Sequence, residues 1–332
     1  MQIIHTATEL RQILNNQDNI AFVPTMGNLH AGHIRLVEIA KQHAKCVVVS
    51  IFVNPLQFGA NEDLASYPRT LADDCEKLEL AGANILFAPS VEEMYPDFDG
   101  VNLNQTMTIT PPLIANELCG ASRPGHFTGV ATVVMKLFNM VMPQVAIFGQ
   151  KDFQQLFIIK QLVKQFNLPI QVIGVDTVRE VNGLAMSSRN GYLSIEERNQ
   201  ASQLHETLQS IVTQIQNSAQ LNHPIDFHQL KKIAISALEN KGWIVDYVAI
   251  KSSVTLLDAT VDDKHLVVLL AAKLGNTRLI DNIEFLRTPL LIAHRSLMES
   301  FRHFHMLSTC INNLKLDATL EKTIMHSLFI ID

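Results

Sequence analysis

Two histidines three residues apart, His30 and His33, stand where an apolar segment gives way to a helical pattern. Residues 20–23 are apolar, a proline and a glycine follow, and apolar residues then recur at helical spacing. In a first helical turn, both imidazoles would point the same way, beside backbone N–H groups without intrahelical partners. Such a turn favours anions, and Gly32 leaves room for a base, ribose or phosphate to approach. The pattern predicts a nucleotide site, although a histidine pair alone is more often without function.

A glycine, a cation and a carboxylate lie close together in Gly149-Gln-Lys-Asp152, at the end of a predicted strand. The glycine permits close backbone approach, and Lys151 supplies a point charge to a phosphate. Asp152 can orient a ribose hydroxyl or hold a metal, but it can equally be a helix N-cap without function. The spacing alone favours neither alternative.

Two hydroxyls and a guanidinium lie together in the polar turn Ser187-Ser-Arg-Asn190. These groups can grip a phosphate, and Arg189 can neutralise a departing pyrophosphate in a loop that closes over it. In isolation, such a segment is more often a solvated turn between domains.

Gln57 and Gln155 are neutral side chains that can hold a hydroxy acid without competing for its carboxylate, although most glutamines are simply solvated. Arg123 and His126 lie in a loop with proline and glycine and can add charge near a carboxylate, although an arginine in such a loop is usually a surface residue without function. These four residues are therefore candidates for substrate binding.

The elements that must position these residues are predicted from apolar patterns. The run 46–54 resembles a strand covered on both faces, as in a parallel sheet, so ligands are expected at strand carboxyl ends, where Asn54 stands. Thr8 is expected to cap the first helix, and the apolar segment 127–141 predicts a buried helix. Further strands are predicted at 20–23, 84–88, 145–148 and 170–178, and further helices at 73–80 and 153–167.

The predicted fold class is α/β, with a Rossmann-like doubly wound parallel sheet in residues 1–178 and a second, smaller α+β domain in residues 179–284. A capping-box pattern from Ser194 to Glu197 opens a long helix in this second domain. That helix is predicted to continue through Ile211 and Ile215, with another helix at 226–239 and two strands at 243–250 and 265–274.

Composition excludes several classes of protein. The 332 residues include 32 acidic and 26 basic ones, for a net charge of −6, without a basic block that would bind nucleic acid. Four scattered cysteines suggest neither zinc nor disulfides, which is typical of a reducing cytoplasm. The acidic pairs at 62–63 and 73–74 are expected to be solvated, so no protein-held metal is assigned. The first residues lack the basic start and apolar core of a signal peptide, and no apolar run approaches the ~20 residues of a membrane span, so neither segment is expected.

Several motifs together resemble one known family. They are P-T-M-G-N-L-H-A-G-H (residues 24–33), S-I-F-V-N-P-L-Q-F-G (50–59), Y-P-R-T-L (67–71), S-R-P-G-H-F (122–127), G-Q-K-D-F-Q-Q (149–155) and M-S-S-R-N (186–190). They are similar, in this order, to pantothenate synthetases (pantoate-β-alanine ligases) of the HIGH-type nucleotidyltransferase superfamily. The last motif looks like the family's counterpart of the superfamily's K-M-S-K-S loop, with Ser and Arg where lysines would stand.

The resemblance implies ATP as co-substrate, with Mg²⁺ arriving on it, and pantoate and β-alanine as the other substrates. Pantoate carboxylate would attack the α-phosphate of ATP to give pantoyl adenylate and pyrophosphate, and β-alanine would then displace AMP. It also implies a homodimer formed through the first domain.

The residues that the resemblance assigns fall into three groups. The catalytic group, expected to neutralise phosphate charge, contains His30, His33, Lys151 and Arg189. The ATP site would be formed by Met26, Gly27, Asn28, Leu29, His30, Ala31, Gly32, His33, Gly149, Gln150, Lys151, Asp152, Val178, Met186, Ser187, Ser188 and Arg189. Pantoate and β-alanine would contact Asn54, Gln57, Arg123, His126 and Gln155.

Two alternatives to this activity stay open. A nucleotidyltransferase of the same superfamily would release a dinucleotide instead of AMP, and a non-catalytic nucleotide-binding module would consume no ATP. An aminoacyl-tRNA synthetase is disfavoured by the missing basic surface and the short second domain.

Residues 285–332 fall outside the resemblance and are an appended tail of unknown role. Their many apolar residues argue against disorder, and their histidines and Cys310 lack a metal-site pattern. The tail is expected to pack against the second domain or a second copy of the chain, without a catalytic part. A partner-binding or regulatory helix pair is the alternative.

Overall fold

The computed structural model describes residues 1–59, 64–221 and 224–287. Residues 1–213 and 226–286 form one compact unit, which holds both sheets and all residues of the site described below. The described residues 214–221, 224–225 and 287 belong to a second unit. The expectations for the tail from residue 288 onward and for the acidic pair at 62–63 lie outside the described residues. The domain boundary at 178 stays a prediction.

The described residues form nine strands and ten helices, besides short 3-10 turns. The strands are β1 (Gln2–Ile4), β2 (Ile20–Thr25), β3 (Cys46–Ile51), β4 (Ile85–Phe87), β5 (Val145–Gly149), β6 (Gln171–Val175), β7 (Ile244–Ser252), β8 (His265–Leu274) and β9 (Thr277–Leu286). The helices are α1 (Ala7–Leu14), α2 (Ala31–His43), α3 (Leu71–Ala81), α4 (Val91–Met94), α5 (Cys119–Ser122), α6 (His126–Val141), α7 (Phe153–Gln165), α8 (Ile195–Gln200), α9 (Gln203–Leu221) and α10 (Phe227–Glu239).

The first six strands form one parallel sheet in the order β1-β4-β3-β2-β5-β6. Alternate residues of the central strands enter two different cores. Phe22 and Val48 pack with α1, α6 and α7 on one face, whereas Val23 and Val49 pack with α2 and α3 on the other. Both faces are therefore covered, which confirms the predicted doubly wound, Rossmann-like sheet.

The direction of strand order reverses at the pair β2 and β5. The chain leaves β2 towards β3 on one side, while β5 pairs with the opposite edge of β2. The helices that follow these two strands, α2 and α7, cover opposite faces. The carboxyl ends of β2 and β5 thus flank a crevice of the kind that binds ligands in open α/β sheets.

A smaller antiparallel sheet, in the order β7-β8-β9, follows the helices α8 to α10. It is the α+β part that the sequence predicted, but its third strand, β9, was missed. A two-residue loop, Gly275-Asn276, joins β8 to β9, and Gly275 has φ +55°. Gly-Asn between two apolar runs is a typical hairpin signal, so the strand was readable from the sequence.

Several predicted element bounds are wrong by a few residues. Thr6, not Thr8, caps α1, because its hydroxyl accepts a hydrogen bond from Glu9 N at 3.3 Å. The short strand β1 precedes this helix and was missed. β2 continues through Pro24 to its end at Thr25.

The predicted long helix after Ser194 is two helices, α8 and α9. Ser202 stands between them, and its hydroxyl donates to the carbonyl of Asn199 at 3.0 Å. The capping box from Ser194 to Glu197 is confirmed, and so is the buried helix α6, which begins at His126.

Candidate active site

A cavity of about 240 Å³ lies at the carboxyl ends of β2 and β5. Apolar side chains of α6, among them Val133 and Leu137, form one wall together with Phe52 and Phe148. The sequence-predicted site residues that line the cavity are Met26, His30, Gly32, His33, Asn54, Gln57, Gly149, Lys151, Asp152, Gln155, Val178, Met186, Ser187, Ser188 and Arg189. The fold therefore brings the motifs after β2, β3 and β5 together with the Ser-Ser-Arg turn.

The two histidines cap helix α2 reciprocally. His30 Nδ1 accepts a hydrogen bond from Gly32 N at 3.1 Å, and His33 Nδ1 accepts one from His30 N at 3.3 Å. Their ring centroids are 4.1 Å apart. Because each Nδ1 accepts from a backbone N–H, it carries no proton, and the proton of the neutral ring resides on Nε2. Each imidazole can therefore donate a hydrogen bond through Nε2–H.

Both imidazoles are neutral near neutral pH. Desolvation by burial lowers the pKa of His30 to about 4, and Lys151 is the next cause. Desolvation also lowers the pKa of His33 to about 3, followed by the neighbouring His30 and Lys151. The expectation that the histidines supply positive charge is therefore revised to hydrogen-bond donation, and the charge is left to Lys151 and Arg189.

The space beside Gly32 is filled by the side chain of His30. A Cβ at this position would lie 2.8 Å from His30 Cε1 and 2.9 Å from His30 Nδ1. The sequence predicted that this glycine leaves room for a ligand, but the cap imidazole occupies that room. Gly32 thus permits the hydrogen bond that orients His30.

Lys151 and Asp152 stand on the turn between β5 and α7. Lys151 Nζ lies 3.9 Å from Asp152 Oδ2, and the lysine side chain is only 19% exposed. Asn282 of β9 holds the turn, because its Nδ2 donates to the carbonyls of Gln150 at 3.0 Å and Lys151 at 2.8 Å. The smaller sheet therefore fixes the backbone that carries the cation.

Asp152 occupies the N-cap position of α7, but its side chain makes no capping hydrogen bond. Burial acts to raise its pKa, yet the positive charges of Lys151 and Arg189 outweigh burial and hold the pKa below its usual range. The carboxylate is thus ionised and faces cations, which favours the functional alternative over a plain N-cap.

The Ser-Ser-Arg turn is built by local hydrogen bonds. Met186 N donates to the carbonyl of Val178 at 2.9 Å, and Ser187 Oγ accepts from Arg189 N at 3.2 Å. Ser188 Oγ donates to the carbonyl of Asn28 at 3.2 Å. This last bond joins the turn directly to the segment that precedes the histidines.

Asn54 and Gln57 belong to one buried network after β3. Asn54 Nδ2 donates to Gln57 Oε1 at 3.1 Å and to the carbonyl of Gly129, while its Oδ1 accepts from Tyr95 at 2.5 Å. Gln57 Nε2 contacts Met26 Sδ at 3.0 Å. Asn54 thus orients Gln57 and also lines the cavity, and its contact with the substrate stays a prediction.

His126 and Arg123 extend this network. His126 Nδ1 lies 2.8 Å from the carbonyl of Gln57, and its Nε2 lies 3.0 Å from Arg123 Nη1. A carbonyl only accepts and a guanidinium only donates, so the imidazole carries its proton on Nδ1 and accepts at Nε2. His126 therefore links Arg123 to the backbone of Gln57.

A second cavity, of about 670 Å³, adjoins the first. The two share Lys151, Asp152, Gln155, Ser187 and Arg189. Other polar residues that line the second cavity include Arg123, His126, Asp246, Tyr247, Lys273 and Arg278. The Gln155 side chain faces both cavities and has no hydrogen-bond partner among residues 1–59, 64–221 and 224–287, so its amide is available to a ligand.

Five predicted ATP-binding residues line neither cavity. Leu29 is core, at 3% exposure, and Ala31 is exposed to solvent. Gly27 and Asn28 form the turn before the histidines, both with positive φ, and Gln150 faces a different cavity. A contact between these residues and ATP stays a prediction.

Sequence reasoning missed the role of Asp74. The pair Asp73-Asp74 was predicted to be solvated, and Asp73 is exposed, but Asp74 is fully buried. Its carboxylate accepts hydrogen bonds from Asn28 N at 2.8 Å and Leu29 N at 2.7 Å. Nothing local in the sequence indicates this, since the partners lie about 45 residues away.

The described part of the chain contains neither a cluster of metal ligands nor a helix that could span a membrane. No cluster of three or more histidine, cysteine or acidic side chains there could hold a metal ion. None of the described helices is long and apolar enough to cross a membrane.

The doubly wound sheet, the paired histidines at the start of α2 and the adjoining Lys151 and Arg189 define a nucleotide-binding α/β protein. The sequence model of the pantoate-beta-alanine ligase family matches residues 2–284. The chain belongs to this family.

Individual relatives agree with that assignment. The chain is 61% identical over 285 residues to the pantothenate synthetase of Methylobacillus flagellatus, which covers 86% of this chain and 99% of that protein. It is 54% identical to the one of Thiobacillus denitrificans, covering 86% and 97%.

Two solved structures are also similar. Pantothenate synthetase from Thermus thermophilus has a TM-score of 0.77 at 41% identity, with 85% of this chain and 99% of that one covered. Pantoate-beta-alanine ligase from Francisella tularensis, complexed with beta-gamma ATP and beta-alanine, has a TM-score of 0.65 at 35% identity, covering 86% and 98%.

Proposed function

We propose that the chain condenses pantoate with β-alanine at the expense of ATP, giving pantothenate, AMP and pyrophosphate through pantoyl adenylate. The observation that carries this proposal is the pair of adjoining cavities with five shared residues. An acyl phosphate ester formed in the first cavity would be within reach of an amine that enters through the second. Membership in the family and the ATP and beta-alanine complex of the Francisella protein support the same chemistry.

In the first step, the carboxylate oxygen of pantoate attacks the α-phosphate, and pyrophosphate leaves. Negative charge on the phosphates is met by Lys151 and Arg189, while His30 and His33 donate neutral hydrogen bonds from Nε2. These four residues stabilise the negative charge on the phosphates during the reaction. No covalent intermediate with the enzyme is needed. Gln57 and Gln155 would hold the pantoate.

In the second step, the β-alanine ammonium group first loses a proton to solvent. The free amine then attacks the acyl carbon, the bond from that carbon to the phosphate oxygen breaks, AMP leaves, and the new amide nitrogen releases its second proton to solvent. Arg123 lines the second cavity and can receive the substrate's carboxylate, and the ionised Asp152 can hold its ammonium group. Because cations hold the pKa of Asp152 low, it is a weak base, so this step relies mainly on positioning of the amine.

Mg²⁺ would enter on the ATP phosphates and neutralise part of their charge. Asp152 and Asp176 are the carboxylates that line the first cavity, and together they do not form a metal site by themselves. These residues fit an ion that the nucleotide brings with it.

Exchange of labelled pyrophosphate into ATP tests the first step. The proposal requires exchange that depends on pantoate and proceeds without β-alanine. A nucleotidyltransferase specific for a phosphorylated precursor would show no pantoate dependence, and a non-catalytic nucleotide-binding module would show no exchange at all.

Replacing Gln155 with alanine should weaken pantoate binding and leave ATP binding nearly intact. A polar group left unsatisfied in a buried site costs ~1–3 kcal/mol, so pantoate affinity should fall roughly five- to 150-fold. Calorimetry with each ligand measures the effect, and equal weakening of ATP and pantoate would show that the glutamine is misplaced. Gln154→Ala is the matched comparison, because Gln154 bonds only the protein, at Cys119 N and two carbonyls, and should change thermal stability instead.

Gly32→Ala should displace the His30 ring and lower the rate of pyrophosphate exchange about tenfold or more, because the cap bond at Nδ1 breaks. Stability should change little, since a lost cap costs ~1 kcal/mol and alanine in place of glycine returns a similar amount. Gly191→Ala is the control, because a Cβ there meets no atom within 4 Å. An exchange rate as high as that of this control would contradict the assigned role of Gly32.

Further parts of the proposal rest on the family and on the sequence. They are a homodimer formed through the first domain, a cytoplasmic location, and a smaller domain that closes over the site. The three described cysteines, Cys46, Cys75 and Cys119, are free thiols. Sedimentation of the purified chain tests the dimer.

A further inference from the structure

The turn before the histidines is held by a carboxylate from another helix. Asp74, on α3, is fully buried and accepts hydrogen bonds from Asn28 N at 2.8 Å and Leu29 N at 2.7 Å. Thr70 Oγ1 donates to the same carboxylate at 3.2 Å. Lys77, one helical turn further, donates from Nζ to the carbonyl of Leu29 at 2.9 Å. The peptide groups that precede His30 are thus fixed by hydrogen bonds to Asp74 at their N–H groups and to Lys77 at the carbonyl of Leu29.

Asn28 connects these hydrogen bonds to the Ser-Ser-Arg turn. It has φ +51°, a left-handed conformation that is costly for most side chains and tolerated by asparagine. In this conformation its N–H points to Asp74, while its carbonyl accepts from Ser188 Oγ at 3.2 Å. One residue therefore connects the carboxylate to the segment that carries Arg189.

We infer that Asp74 is a positioning residue for adenylate formation, acting through Asn28 on both the histidine pair and the Ser-Ser-Arg turn. The inference rests on the proposed function. Its carboxylate lines neither of the two cavities, but it fixes the turn from which His30 and His33 present Nε2 and to which Ser188 bonds. Two acceptor oxygens are required, because Asn28 and Leu29 both offer N–H donors.

Asp74→Asn tests this requirement with almost no change in shape. The amide has one acceptor oxygen, so its NH₂ group must face one of the two backbone N–H donors. Because a misplacement of about 1 Å can cost about a hundredfold in rate, we expect pyrophosphate exchange to fall roughly a hundredfold. Pantoate affinity should stay within about twofold of wild type, because Gln57 and Gln155 are not touched. Asp73→Asn, with the same charge change on the exposed neighbouring residue, should leave exchange unchanged.

Imidazole NMR separates positioning from a purely structural role. In the wild type, both rings should show a protonated Nε2 and a hydrogen-bonded Nδ1. In the folded Asp74→Asn variant, we expect the His30 signals to move towards a mixture of tautomers, whereas mere loss of stability would lower the melting temperature without changing them. A folded variant with wild-type imidazole signals, or with exchange within twofold of Asp73→Asn, overturns the inference.

A double-mutant cycle with Ser188→Ala tests the connection through Asn28. If the two hydrogen bonds act as one chain, the losses in exchange rate should be clearly less than additive in the double variant. Additive losses would mean that Asp74 and Ser188 act independently, which contradicts the connection.

Two milder variants keep the test decisive if Asp74→Asn does not fold. Thr70→Val and Lys77→Met leave the carboxylate in place but remove a hydrogen bond that fixes it or its turn, and each should lower exchange several-fold. Exchange at the wild-type rate in both would overturn the inference. A wild-type chain without pantoate-dependent exchange would instead refute the proposed function, and the NMR comparison would still test the positioning role.

Discussion

His33→Ala should lower pantoate-dependent exchange of pyrophosphate into ATP by about a hundredfold or more. Removal of one hydrogen-bond donor that is aligned with the charge of the transition state commonly costs that much in enzymes. The residue packs beside His30 and accepts a hydrogen bond from its backbone N–H, so its Nε2–H is held in one direction. His43→Ala, at the exposed end of the same helix, is the matched control and should exchange at the wild-type rate. An undiminished exchange rate in His33→Ala would refute the assigned role.

The same variant should change how stability depends on pH. The pKa of His33 is about 3 in the folded chain, below its ordinary value of 6.5, so the unfolded chain binds the extra proton between these values. The contribution of His33 to the free energy of unfolding is therefore fully present above pH 6.5 and is lost as the pH falls towards 3. Urea unfolding at several pH values should show a shallower loss of stability on acidification in His33→Ala.

Lys151→Met should abolish most of the exchange activity, with a loss on the order of a thousandfold, since it removes a cation that faces both cavities. The lysine is also a cause of the lowered pKa of both histidines. Without its positive charge, the pKa of His30 and His33 should rise, which imidazole NMR can measure in the same sample.

Lys160→Met is the control for the loss of a lysine, because Lys160 lies on the exposed side of α7. It should preserve both the exchange rate and the histidine pKa values. If Lys151→Met kept its exchange rate while the histidine pKa values rose, the lysine would be near the histidines without serving the phosphates.

The sequence predicted the parts of the site that are local in the chain. A strand, a Pro/Gly break and two histidines three apart suffice to place His30 and His33 at a helix start, and the structure has them there. The apolar run after Cys46 likewise predicted a strand with two covered faces, as β3 has. Such features depend on neighbours within one or two turns.

The parts that were not predicted depend on contacts between distant segments. Asp74 was predicted to be solvated because its partners, Asn28 and Leu29, lie in a distant turn of the chain, before α2. The buried hydrogen bond between Asn54 and Tyr95 cannot be seen in the sequence either, because the two residues lie 41 positions apart. The charge state of the histidines depends on burial and on Lys151, which only the assembled site provides.

Transfer of oxygen from pantoate to AMP tests the central claim most directly. Pantoate labelled with ¹⁸O in both carboxylate oxygens would be incubated with the full chain, ATP, Mg²⁺ and β-alanine, and the products analysed by mass spectrometry. If the carboxylate attacks the α-phosphate and the amine then breaks the acyl bond, AMP carries one ¹⁸O atom and pantothenate keeps the other in its amide. Pantothenate formed together with unlabelled AMP, or with the label in inorganic phosphate, would contradict the adenylate route.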